Sequence, residues 1–231
     1  MCFKDSFSNH GMKIEYPKND VSLLNQLCDK YGSDKGEMTS TNPYPWQSHT
    51  YTDFYDMIFG LNRASVSLII ECGIGTNNPN IKSSMGINGN PGASLRVWQD
   101  FFPSAQIIGC DIDKDILFQN KRIKTFYCDQ TNPNSIKNFI KNAQISLNSA
   151  DIIIDDGLHE FEAGKCFFFF TIPLLKKDGI YIVEDVKPDD LVKFKNFFSN
   201  QLDVYDVRYI ELYSTKIKGY HDNRLIFIKK K

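Results

Sequence analysis

From residue 67 onward, short apolar runs alternate with segments whose apolar residues recur at helical spacing. The runs predict strands at 67–72, 106–111, 124–128, 151–154, 180–184, 206–211 and 224–228, and the helical spacing predicts helices at 93–101, 133–141, 161–175 and 189–199. Strands separated by helices point to a parallel sheet, because parallel neighbours need a long crossover. The last two strands are separated only by a polar segment at 213–223, and a hairpin there would turn one strand antiparallel. The expected fold is therefore α/β, a doubly wound, seven-stranded, mostly parallel sheet with one antiparallel strand.

The first third of the chain reads differently. Residues 1–20 are polar and aperiodic and are expected to fray or pack as an arm. Leu23, Leu24, Leu27 and Tyr31 are spaced as on a helix that Gly32 would stop, and Tyr51, Phe54, Tyr55, Ile58 and Phe59 mark a second helix. Between them, residues 32–48 contain Pro43 and Pro45 and predict a loop. Two regions are expected: a short helical extension at 1–62, covering cofactor and substrate, and the main domain at 63–231.

Composition narrows the function classes. A chain of 231 residues that is 42% hydrophobic can bury a full core. A formal net charge of −1 gives no general attraction to nucleic acid, and Lys229, Lys230 and Lys231 predict a solvated tail, not a nucleic-acid patch. The six cysteines show no CxxC pair and predict buried free thiols in a reducing compartment. The N-terminus lacks an apolar signal core, and the run Phe167–Phe170 is far too short to span a bilayer, so a cytoplasmic protein without membrane association is expected.

The candidate chemistry lies at the strand ends, where open α/β sheets bind ligands. One strand runs into Asp155-Asp156-Gly157-Leu158-His159 and the next into Glu184-Asp185, which brings several carboxylates and an imidazole to one rim. Hard divalent cations take carboxylate oxygens, and a neighbouring histidine can act as a base. A competing account makes Asp155 and Asp156 caps of the following helix. The second acidic pair makes capping an incomplete explanation, because clustered carboxylates repel one another unless a cation or proton relieves them. Spacing alone leaves open which of Asp155 and Asp156 would be the direct ligand.

The first three strands end in polar residues of a different kind. Glu71-Cys72-Gly73-Ile74-Gly75 places glycines where backbone can approach a ligand, and Glu71 is expected to engage a positively charged amine. Asp111 can accept ribose hydroxyls, and Asp129-Gln130 is placed to meet an adenine edge. A dinucleotide fingerprint would carry a third glycine and a ribose acid about 20 residues on. Here Asp111 lies 38 residues beyond Gly73, across an Asn-, Gly- and Ser-rich insertion at 77–91. A glutamate at the turn would repel a pyrophosphate, so S-adenosylmethionine fits better than NAD.

Taken together, these residues resemble the class I S-adenosylmethionine-dependent methyltransferases. More narrowly, the chain is similar to the metal-dependent sugar O-methyltransferases of the macrolide (mycinamicin) type and their relatives in surface-polysaccharide gene clusters. Gly32-Ser33-Asp34-Lys35, His49-x-Tyr51-x-x-x-Tyr55, Gly92-Ala93-Ser94-Leu95-Arg96-x-Trp98, Asp155-Asp156-Gly157-x-His159 and Glu184-Asp185 carry the resemblance. It implies a Rossmann-like catalytic domain with Asp156, Glu184 and Asp185 on a divalent ion such as magnesium, and His159 as general base. Asp155 would orient His159 or bound water, and Ser94 would join Glu71, Gly73, Gly75, Asp111, Asp129 and Gln130 around the donor. The implied acceptor is a small-molecule sugar or nucleotide-activated glycan of a surface glycan or secondary metabolite; association between copies of the chain is left open. The alternatives are a metal-independent small-molecule methyltransferase and a non-catalytic nucleoside-binding module. An exposed lysine is the default for Lys35, with contact to an acidic acceptor the alternative; His49, Tyr51 and Tyr55 fit simple helix packing, and the resemblance favours their closing over the cofactor.

Overall fold

In a computed structural model, which describes residues 12–16, 22–37, 42–214 and 223–231, the alternating pattern becomes one sheet flanked by helices. The strands are β1 (Met12–Tyr16), β2 (Leu68–Cys72), β3 (Gln106–Asp111), β4 (Gln119–Asn120), β5 (Ile123–Tyr127), β6 (Ala150–Asp155), β7 (Leu175–Val183), β8 (Tyr205–Ser214) and β9 (Arg224–Lys230). The helices are α1 (Leu23–Tyr31), α2 (Tyr51–Phe59), α3 (Ala93–Phe101), α4 (Pro133–Asn142), α5 (Phe161–Thr171) and α6 (Pro188–Ser199). The strand order is β1-β8-β9-β7-β6-β2-β3-β5-β4.

The expected seven strands form the body of this sheet. β2, β3, β5, β6 and β7 pair parallel, and β9 runs antiparallel to both β7 and β8. Two edge strands extend it: β1 lies parallel on β8, and the two-residue β4 lies antiparallel on β5. Residues 12–16 are thus not aperiodic arm; the run Met-Lys-Ile-Glu-Tyr does alternate, but it is too short to stand out. The segment expected to link β8 and β9 falls largely on residues 215–222, which lie outside the described residues, as does Cys2.

The interior follows from strand periodicity. Ile69, Ile107, Ile152 and Ile154 face α1, α2 and α3, whereas Ile70, Ile108 and Ile153 face α4, α5 and α6. Successive side chains on a strand point to opposite faces, so a sheet covered on both sides needs apolar residues at nearly every position. Trp98, Phe101 and Phe102 pack in the first layer, with Tyr51, Tyr55 and Phe59 of α2. The N-terminal helices therefore share one core with the sheet. Phe167 and Phe168 belong to the second layer, while Phe169 is 68% exposed. Cys28, Cys72, Cys110 and Cys128 are buried free thiols, and Cys166 is half-buried. No helix among the described residues is long and apolar enough to cross a membrane.

Two features orient the sheet's working end. The chain winds from β2 through β3 to β5 on one side and through β6 to β7 on the other, so the switch point lies between β2 and β6. At the opposite end, Asp151 ties the strand starts together: Oδ2 accepts from Ser67 N (2.8 Å), Ser67 Oγ (2.7 Å) and Leu68 N (3.0 Å), and Oδ1 accepts from Lys176 Nζ (2.7 Å).

Candidate active site

The turn after β2 is built against the turn after β6. Gly73 has φ +83°, and a Cβ on it would lie 1.9 Å from the Asp156 carbonyl oxygen. Only glycine allows that backbone conformation and approach together. The Gly73 N–H donates to Cys110 O (2.9 Å) and the Asp156 N–H to Cys72 O (2.9 Å), locking both turns to the sheet. They open onto a cleft of about 860 Å³ at the carboxyl ends of the strands. Gly73, Gly75, Ser94, Asp111, Asp129, Gln130, Asp156, His159, Glu184 and Asp185 all line it. Glu71 and Asp155 do not.

The end of the cleft beside β3 suits a nucleoside. Asp111 accepts from Ile74 N on one oxygen and from Asp113 N on the other, both at 2.9 Å. Each carboxylate oxygen offers more than one lone pair, so both remain able to accept ribose hydroxyls. Asp129 closes a local turn with Thr131, accepting from its N–H (2.9 Å) and its hydroxyl (2.6 Å). The Gln130 amide is already engaged, accepting from Leu158 N (2.6 Å) and donating to Asp155 Oδ1 (3.0 Å). Its visible work is to hold the post-β6 turn. The insertion at 77–91 roofs the cleft: Ser83 Oγ donates to Leu158 O (3.1 Å), Lys82 pairs with Glu160 (3.2 Å), and Asn90 Nδ2 donates to Tyr31 O (2.7 Å).

At the other end the acidic rim is held by side chains from α2 and from the segment between α1 and α2. Tyr55 Oη donates to Glu184 Oε1 and Tyr51 Oη donates to Asp185 Oδ1, each at 2.6 Å, and His49 Nε2 lies 3.4 Å from Asp185 Oδ1. Lys35 is not exposed: at 3% accessibility its ammonium donates to Asp156 Oδ2 (2.5 Å) and Glu184 Oε2, and lies 3.4 Å from Glu71 Oε1. The α1 C-cap explains its delivery, because Gly32 in the left-handed region (φ 73°) turns the chain from the helix end toward the rim.

Asp155 and Asp156 part company at the end of β6. Asp155 is buried, with Oδ1 on Gln130 and Oδ2 without a hydrogen bond, and burial pushes its pKa up to about 6. It makes no hydrogen bond to His159, contrary to the expected orienting contact; the carboxylate within reach of the imidazole is Asp156, whose Oδ1 lies 3.2 Å from Nε2. Neither aspartate caps α5, whose N-cap residue is Glu160. Glu71 does not reach the cleft lining: Oε2 accepts from Trp98 Nε1 (2.6 Å) and Oε1 lies 3.4 Å from Lys35 Nζ.

The electrostatics follow from this crowding. Burial opposes charge on Asp156, but Lys35 and His159 beside it bring its carboxyl down to about 2. Burial also opposes charge on His159, yet Asp185 and Asp156 lift it to about 9. Glu184 is pushed well up by burial despite Lys35. Glu71, Asp156, Glu184 and Asp185 thus crowd around Lys35 and His159. His159 (φ 57°) and Asp185 (φ 54°) both adopt the left-handed backbone that non-glycine residues usually avoid, as residues at functional sites often do.

The donor set accommodates a divalent cation. Ligand atoms of Asp156, His159 and Asp185 all lie within 4.8 Å of one another, and surplus negative charge beside them favours a hard cation. Glu184 stands apart from that trio, held by Lys35 and Tyr55.

Comparison with known proteins agrees with the resemblance. No protein-family model matches the chain. It is 31% identical over 161 residues to demethylmacrocin O-methyltransferase of Streptomyces fradiae, covering 69% of this chain and 38% of that protein. It is 29% identical over 168 residues to the 8-demethyl-8-alpha-L-rhamnosyl tetracenomycin-C 2'-O-methyltransferase of Streptomyces olivaceus, covering 73% and 39%. The chain therefore spans about two fifths of the length of these curated relatives. Among solved structures it is similar in fold to MycE, a methyltransferase of the mycinamycin pathway in complex with Mg and SAH, with a TM-score of 0.61, 23% identity and coverage of 92% of this chain and 55% of that one.

Proposed function

We propose that this chain, which resembles the class I methyltransferases in sequence and in fold, is an S-adenosylmethionine- and divalent-metal-dependent O-methyltransferase acting on a sugar hydroxyl. The observation that carries the proposal is a single cleft joining a nucleoside-type pocket at Gly73, Gly75 and Asp111 to an acidic rim with a histidine at Asp156, His159, Glu184 and Asp185. Its relatives are named as O-methyltransferases of demethylmacrocin and of a rhamnosyl tetracenomycin-C, and the proposed acceptor class is a glycosylated secondary metabolite or an activated surface-glycan precursor. A cytoplasmic location belongs to the same proposal.

Methyl transfer from a sulfonium is a displacement by an oxygen nucleophile, so the protein must orient the acceptor, free its proton and exclude water. Asp111 would hold the ribose, and the turn at Gly73 and Gly75 would let the donor lie against backbone. Asp156 and Asp185, joined by Glu184, would hold the metal, which supplies positive charge that lowers the pKa of an acceptor hydroxyl. His159 takes the acceptor proton at Nε2, the nitrogen turned toward Asp156 and Asp185. As a base it must be neutral, and the carboxylates that hold its pKa up are those a cation would neutralise. The insertion at 77–91 keeps water from the donor side.

The Lys35 ammonium among the carboxylates favours a second reading, a metal-independent methyltransferase in which lysine is the resident cation. One experiment separates the two. Methyl transfer to a panel of rhamnosylated and nucleotide-activated sugars is followed by mass spectrometry with magnesium and with chelator. Product that requires magnesium supports the proposal, equal product in chelator supports the second reading, and no product with any sugar sinks the acceptor class.

A further inference from the structure

Lys35 is the buried cation that the proposed reaction leaves without a role. Its ammonium sits between Asp156 and Glu184, which enter from different strand ends, and Glu184 accepts from it on the oxygen not bonded to Tyr55. A third carboxylate adjoins it: Glu71 Oε1, wholly buried and without a hydrogen bond, lies 3.4 Å from Nζ. The lysine thus has two anionic seats, one it fills through hydrogen bonds and one within a short side-chain shift.

We propose that Lys35 is a tethered competitor for the divalent cation, holding Asp156 and Glu184 together until metal takes that place and then moving onto Glu71. The proposal rests on the metal-dependent reading above. Glu184 is buried and Asp156 half-buried, so carboxylates set this close repel unless a cation or proton lies between them, and the Lys35 ammonium is the cation in place. A lysine suits the role better than arginine, since a compact ammonium on a flexible stem can change partners without rebuilding a planar fork. Glu71 is the feature that makes exchange feasible, because it lets the displaced charge stay paired inside the protein. Its position off the cleft lining and 3.4 Å from Lys35 Nζ fits that role.

The test is a calorimetric titration of magnesium into chelator-stripped protein, comparing the unmutated chain with Lys35→Met, with folding of the variant checked by circular dichroism. Competition predicts that Lys35→Met binds magnesium at least about tenfold more tightly, about 1.4 kcal/mol, and melts at a lower temperature in chelator. Equal or weaker binding by a folded variant would overturn the proposal while leaving the metal reading intact. Magnesium binding to neither protein would overturn both. Should the variant not fold, nitrogen-15 spectra of the lysine ammonium groups in the unmutated protein decide the matter. A slowly exchanging Lys35 signal that magnesium shifts supports exchange, and one that saturating bound magnesium leaves in place refutes it.

Discussion

Removing a single oxygen, by Tyr55→Phe, isolates the support beneath the acidic rim. The hydroxyl donates to Glu184 Oε1 at 2.6 Å, and the tyrosine and glutamate are 0% and 1% exposed. Phenylalanine keeps the ring contacts with Phe54, Phe59 and Trp98, whose centroids lie 6.0, 5.8 and 5.8 Å away, so packing changes little. What is lost is the donor to a buried carboxyl oxygen, which is left unsatisfied at a cost of about 1–3 kcal/mol. Water cannot readily replace it at a site this buried. With about 2–4 °C of Tm per kcal/mol for a chain of this size, the melting temperature should fall by about 2–12 °C. Urea and thermal unfolding in chelator measure the loss. Repeating them with magnesium adds a second reading, since a cation that recruits Glu184 supplies the missing partner and narrows the deficit. A loss below about 0.5 kcal/mol in chelator, the range of an ordinary surface substitution, would refute the claim that Glu184 is a buried carboxyl group held by this hydroxyl.

Three further outcomes are expected. Gly73→Ala forces a methyl group to within 1.9 Å of the Asp156 carbonyl at φ +83°, so the turns must part; S-adenosylhomocysteine affinity should fall at least about tenfold, and unchanged affinity in calorimetry would remove the turn from the donor pocket. His159→Ala should lower kcat by about 10²–10⁴-fold with little change in acceptor KM, and an undiminished kcat would exclude it as base. Asp151→Asn tests the opposite end of the sheet. Burial opposes charge on Asp151, but Lys176 and Ser67 outweigh it and hold the folded pKa below the usual value. Its stabilisation is present above the unfolded value of about 3.9 and is lost as pH falls from there through the folded pKa. The variant's urea midpoint should therefore be lower at neutral pH and fall less steeply on acidification, whereas parallel curves would contradict the pairing.

The parts of the fold legible in the sequence are those fixed by local periodicity. α3 and β3 run over the expected residues, 93–101 and 106–111, because each presents an unbroken apolar pattern bounded by polar turns. β7 begins earlier than expected, at Leu175, since Lys176, Lys177 and Asp178 interrupt the apolar pattern before Gly179. β1 depends on the open edge of β8, a partner nearly 200 residues away in sequence. The candidate site divides in the same way. Strand-end motifs brought most of the cleft residues together, because topology alone gathers carboxyl ends at one rim. Lys35 was illegible for a physical reason: a lysine is buried only where anions receive it, and its partners Asp156 and Glu184 lie 121 and 149 positions further along the chain. Tyr51 and Tyr55 show the same limit. Their helical spacing announces packing, and only the assembled structure turns their hydroxyls toward Asp185 and Glu184.

The most direct test of a donor pocket joined to a metal-binding rim is a calorimetric titration of S-adenosylhomocysteine into chelator-stripped protein, repeated with magnesium present. Binding is expected in both conditions, with magnesium producing its own heat of binding at the acidic rim. Failure of S-adenosylhomocysteine to bind in either condition would contradict a donor pocket in this cleft.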